Sequence, residues 1–168
     1  LISEGEPMKK KKRFSLLLPV IVCSILAITI YFQMTTGVIS VNNTVNGKEL
    51  PIYCVDTKEP KIAISFDAAW GNEDTKQIME VLRKNDVKVT FFMTGGWVGN
   101  YPDDVKMILA EGHDLGNHSE NHKNMSQISD SEIKDEVMKV HEKVKALTGY
   151  EMFLFRPPYG DYDNHVIK

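Results

Sequence analysis

From Lys61 onward, hydrophobic positions recur with two alternating periods. Ile62–Phe66 is a short apolar run ending at Asp67, which predicts a buried strand. Asp74-Thr75 then opens a helix with Ile78, Met79, Val81 and Leu82 as its apolar positions, stopping near Asn85. Val87–Met93 is rich in β-branched and aromatic residues and predicts a second strand, closed by Gly95-Gly96. Pro102 suits the first turn of another helix, with Val105, Ile108 and Leu109 on one face and Gly112 as its stop. A short polar strand over His113–His118 is expected next. Ser129-x-x-Glu132 is a capping box, and Ile133, Val137, Val140, Val144 and Leu147 follow it at intervals of three or four until Gly149. Last comes an apolar strand, Met152–Phe155, running into Arg156-Pro157-Pro158-Tyr159-Gly160. The alternation predicts an α/β domain over residues 61–168, with parallel strands and crossover helices, as a barrel or an open sheet.

The pattern before Lys61 is different. Phe14–Phe32 carries no charge in nineteen residues. As a helix it would span roughly 28 Å at about 1.5 Å per residue, close to the hydrocarbon thickness of a bilayer. The basic run at 9–13 precedes it, which predicts a cytoplasmic N-terminus and an extracellular domain. A cleaved signal peptide has similar flanks, but the run is long and Gln33-Met34-Thr35-Thr36 is a poor cleavage site. The expected organisation is a basic tail over 1–13, a single-pass membrane anchor over 14–32 and a connecting segment over 33–60. Met8 is a better natural start than Leu1. Within the connector, Asn42-Asn43 and Asn46-Gly47 signal turns, and Val38–Val41 and Ile52–Val55 suggest short strands.

Charge and cysteine content narrow the partners. The formal charge is −3, but five of the twenty basic residues sit in the N-terminal run, so residues from Gln33 onward carry 15 basic and 21 acidic side chains. No clustered Lys and Arg surface suits a nucleic acid. Cys23 lies inside the apolar run and Cys54 beyond it, so a disulfide between them is not expected, and nothing near Cys54 would activate its thiol.

The chemistry gathers at the strand ends. Asp67 follows the first strand, His118 closes the third, and Arg156 follows the fourth. In parallel α/β architectures ligands sit at the carboxyl ends of the strands, so three unusual polar segments fall at one end of one sheet. His118 and His122 stand four residues apart, and two neutral imidazoles on a short segment can chelate a zinc-like ion. His113, His141 and His165 have no such pattern and are expected to be structural or solvent-exposed.

In this order, the segments resemble the motifs of the polysaccharide deacetylase family, the carbohydrate esterases with a NodB homology domain. Ser65-Phe66-Asp67-Ala68-Ala69-Trp70-Gly71 is similar to the first motif, Thr-Phe-Asp-Asp-Gly. His118-Ser119-Glu120-Asn121-His122 fits the second, His-Ser/Thr-x-x-His. Arg156-Pro157-Pro158-Tyr159-Gly160 fits the third, Arg-x-Pro-Tyr/Phe-Gly. The Asp-Ala-Ala-Trp-Gly form most resembles membrane-anchored, sporulation-associated deacetylases.

The resemblance implies a distorted (β/α) barrel and metal-dependent removal of acetyl groups from a cell-wall glycan, peptidoglycan foremost, by a monomer. It implies Asp67 as general base, Arg156 as its cationic partner, His118 and His122 as ligands of zinc or cobalt, and the Tyr159 backbone N–H as oxyanion donor. Trp70, Pro158 and Tyr159 would contact substrate, although Trp70 could equally be a packing residue. Two departures stand out. The family's second aspartate, a third metal ligand, is Ala68, which predicts weakened metal binding. The later motifs, an Asp-rich segment near a Trp and a Leu-x-His, do not occur before Lys168, so the domain reads as C-terminally truncated, with an incomplete core and little activity expected. The rival readings are a weak or inactive glycan-binding member of the family and a fragment without independent function.

Overall fold

The computed structural model describes residues 44–168, together with Pro19, Ile21, Val22, Ser24 and Ile25. The chain divides into two units, Leu1–Val41 and Asn42–Lys168. In the first, the five described residues are helical. The expected basic tail, most of the expected anchor over 14–32 and the expected strand Val38–Val41 lie outside the described residues. Among the described residues no helix is long and apolar enough to cross a membrane.

The second unit opens with a small antiparallel hairpin, β1 (Thr44–Val45) and β2 (Lys48–Glu49), turning at Asn46-Gly47 with both residues at positive φ. Such a two-residue turn favours Asn-Gly because both positions are left-handed. Ile52–Val55 is not a strand: its residues are exposed and pair with no neighbouring edge among the described residues. Then β3 (Ser65–Ala68), β4 (Thr90–Met93) and β5 (Asp114–Asn117) form a parallel sheet in sequential order. Asp67 lies opposite Phe92, and Phe92 opposite Gly116, so the strand ends are level. The sheet is open among the described residues, and the expected barrel is not seen there.

Two strands are shorter than their apolar runs. Ile62 is exposed and Ile64 partly so, because pairing of β3 with β4 begins only at Ser65. Met152–Phe155 reduces to a single parallel bridge between Phe155 and Asn117. That bridge still fixes the segment, since Asn117 N–H donates to Leu154 O at 2.8 Å and Arg156 N–H to Asn117 O at 2.9 Å.

The helices follow the sequence more closely: α1 (Thr75–Lys84), α3 (Pro102–Ala110) and α4 (Asp130–Thr148) occupy the expected positions. Both halves of the Ser129–Glu132 capping box form, and Gly149 closes α4 at φ +77°. An additional short helix, α2 (Gly95–Asn100), starts where the sequence signals only a stop. Thr94 explains it by capping the helix, its hydroxyl accepting from Trp97 N–H at 3.2 Å. A last short helix, α5 (Asn164–Ile167), is capped by Asp163. The core lies between the sheet and α1, α3 and α4, with Met79, Met93, Val105, Ile108, Leu115, Val140 and Val144 essentially inaccessible. Burying each of these side chains contributes roughly 1.5–3 kcal/mol, which holds the strand ends in place.

Candidate active site

The site is built at the carboxyl end of the sheet. Arg156 Nη1 donates to Asp67 Oδ1 at 2.6 Å, while Nη2 donates to Ser65 Oγ at 2.5 Å. One guanidinium fork thus spans two residues of β3. Its carbon also lies 4.1 Å from the centre of the Phe92 ring on β4, a cation–π contact that fixes the plane of the fork. Phe92 in turn packs over Gly116, where a Cβ would collide with its ring. The other Asp67 oxygen, Oδ2, faces His118 Nε2 across 4.0 Å.

His118 stands just after β5, its backbone N–H donating to Met93 O at 2.9 Å. The ring is buried, with Nδ1 2.7 Å from Arg156 O. A carbonyl can only accept, so Nδ1 carries the proton and the Nε2 lone pair points towards Asp67 and the open site. Burial pushes the imidazole below its ordinary pKa, against the upward pull of the Arg156 carbonyl and Asp67. The ring is therefore neutral near pH 7.

The chain then makes a tight loop with Ser119 at φ +67° and His122 at φ +55°. Both are strained for non-glycine residues. Ser119 is fully buried, accepting His122 N–H on its hydroxyl at 3.0 Å and donating its own N–H to Asn117 Oδ1 at 2.9 Å. The result sets the two imidazoles 4.9 Å apart at 72°. Around His122 stand Trp70, 5.0 Å between ring centres, and Tyr159, at 4.6 Å. Both aromatic rings are largely exposed, at 77% and 70%, so they offer faces on which a sugar ring could rest. Tyr159 itself is at φ +60°, and its backbone N–H has no acceptor among the described residues. Pro158 is buried beneath this turn and shapes it without presenting a face.

Of the residues singled out from the sequence, Asp67, His118, His122, Arg156, Trp70 and Tyr159 converge, and Pro158 lies below them. The remaining histidines do not join. His113 is buried and accepts Val89 N–H at 3.2 Å, His141 meets Met152 O, and His165 meets Asp163. Phe92, which anchors Arg156 together with Ser65, lies outside every motif, and Ser65 enters the first motif without an assigned role; their signal is the register that sets both beside Asp67.

Among the described residues, a metal would find two imidazoles here, with the nearby Asp67 carboxylate already held by Arg156. Ala68 offers no donor, and among the described residues no group of three His, Cys, Asp or Glu side chains is placed to hold an ion. The donor set falls one ligand short of the three usual at a catalytic zinc.

Residues 55–168 match the model of the polysaccharide deacetylase family. The chain belongs to that family. Among curated proteins, it is 38% identical over 117 residues to the peptidoglycan-N-acetylmuramic acid deacetylase PdaA of Bacillus subtilis (strain 168), covering 69% of this chain and 44% of that one. The solved structure of peptidoglycan deacetylase PdaC from Bacillus subtilis superposes with a TM-score of 0.62 at 32% identity, over 67% of this chain and 56% of that one. That of BA3943, a CE4 family pseudoenzyme from Bacillus anthracis, gives 0.60 at 38% identity, over 62% and 37%. The chain spans less than half the length of the first curated relatives it matches. The α/β fold is shared with these two solved structures. Family members are generally metal-dependent.

Proposed function

We propose that this site removes N-acetyl groups from a cell-wall glycan, peptidoglycan foremost, by attack of water on the amide carbonyl. The observation that carries the reading is the Arg156–Asp67 fork with one carboxylate oxygen left free beside His118. Asp67 takes a proton from the attacking water through that free oxygen, and Arg156 fixes the carboxylate in aim. The new carbon–oxygen bond makes a tetrahedral centre, and the unpaired Tyr159 N–H is a preorganised donor for its oxyanion. Breaking the carbon–nitrogen bond, with the proton taken up by Asp67 passed on to the departing nitrogen, yields acetate and a free amine on the sugar. Trp70 and Tyr159 flank the entrance and would hold the pyranose by stacking.

His118 and His122 are a two-point site for zinc or cobalt, and binding is correspondingly weak. The proposal includes a closed, distorted barrel, a monomer, an anchor over 14–32 that holds the domain outside the cell membrane, and a role in sporulation.

A second reading has its own support. Ala68, together with the likeness to a pseudoenzyme, fits a weak or inactive member that binds glycan through the retained aromatic groove. Acetate release from peptidoglycan and from chitooligosaccharide, measured beside glycan binding, separates the two. The enzyme reading expects acetate from the parent and a loss of about 10²-fold or more in Asp67→Asn. Glycan binding with no acetate from the parent, with or without added zinc, leaves the second reading standing.

A further inference from the structure

Glu136 lies on α4, one turn after Ile133 and one before Val140, within the apolar stripe that faces the core. It is only 4% exposed. A buried carboxylate is costly unless several donors meet it. Three do, and all come from the two residues just before and just after His122. Asn121 gives its backbone N–H to Oε2 at 2.7 Å and its side-chain Nδ2 to Oε1 at 2.7 Å, and Lys123 Nζ lies 3.4 Å from Oε1. The next residue of the helix, Val137, takes Asn117 Nδ2 on its carbonyl at 2.8 Å. One turn of α4 therefore grips the His118–His122 loop at both ends.

The two histidines differ in how they are held. His118 has its own bond, from Nδ1 to Arg156 O. His122 has none: its Nδ1 is buried without a hydrogen-bond partner among the described residues. Its ring is aimed by its backbone and by the surrounding aromatic rings. That backbone is in a left-handed conformation which a histidine keeps only when neighbouring contacts over-determine it. Asn121, the residue immediately before it, is the one fastened at two points.

We propose that Glu136 is a positioning residue: its clamp on Asn121 holds the strained loop and so sets the direction of the His122 ring in the site. This rests on His122 being a site residue in the proposed deacetylase.

The test is histidine ¹³C-labelled NMR of the full chain, with the ring signals of His118 and His122 assigned by His118→Gln and His122→Gln. In Glu136→Gln, which keeps the size and one acceptor, the His122 signal is expected to shift by more than its line width while that of His118 stays in place. Asn121→Ala, which loses only the side-chain bond, should give a smaller shift of the same signal, and it serves if Glu136→Gln does not fold. An unmoved His122 signal in a folded variant overturns the proposal, as does a joint movement of both signals that scales with the loss of thermal stability. Neither variant is read through acetate release, so failure of the deacetylase reading would appear separately, as a parent protein without activity.

Discussion

At the scale of single residues, the site depends on side chains that hold one another. Arg156 reaches Asp67 and Ser65 with one planar fork, a geometry that lysine lacks. Arg156→Lys should therefore lower deacetylation by about 10–10²-fold with little change in melting temperature, measured as acetate release and by calorimetry. A result equal to the parent would mean that the fork does not position the base. Ala68→Asp is the converse case, because it adds a carboxylate where the described donor set stops at two. Zinc affinity measured by calorimetric titration should rise at least about tenfold, and an unchanged affinity would show that residue 68 does not face the imidazoles.

At the scale of elements, burial links two histidines to stability. His113 and His118 are both pushed below their ordinary pKa, chiefly by burial. Below about pH 6.5, the ordinary value for histidine, the unfolded chain takes up protons that the folded chain refuses. Stability is thus fully present above pH 6.5 and falls as pH drops through it, by up to about 1.4 kcal/mol per pH unit for each histidine. Denaturant unfolding between pH 7.5 and 5.5 checks this, and a flat profile would contradict it. Gly116 on β5 supplies a second expectation. Its missing Cβ leaves room for the Phe92 ring that underlies Arg156, so Gly116→Ala should cost about 1–3 kcal/mol in unfolding measurements and also disturb Arg156.

The same scale shows what could be read from sequence. The helices α1, α3 and α4 announce themselves through apolar spacing and caps, because helix signals are local. The strands are legible in position but not in length, since pairing depends on neighbours distant in sequence; Ile62 reads as strand and remains outside the ladder, and Ile64 joins it only through its carbonyl, which accepts Thr90 N–H at 3.2 Å. The short helix α2 is hidden because Gly95-Gly96 looks like a stop, while the deciding residue, Thr94, sits at the strand end. Glu136 left a faint trace as one carboxylate inside an apolar stripe, but its partner Asn121 is fifteen residues away and only the fold joins them.

At the scale of the whole molecule, one end of a parallel sheet gathers a carboxylate, a guanidinium, two imidazoles and two exposed aromatic rings from segments between Ser65 and Gly160. In the proposed deacetylase, a donor set of two imidazoles with Ala68 beside them would tie activity to how well a metal is held. The most direct measurement is the rate of acetate release from peptidoglycan as zinc is titrated, for the parent, Ala68→Asp and Asp67→Asn. The account predicts that Ala68→Asp reaches its half-maximal rate at a zinc concentration at least about tenfold below that of the parent, and that Asp67→Asn stays flat throughout. Superimposable curves for the parent and Ala68→Asp, or full activity in Asp67→Asn, would contradict it.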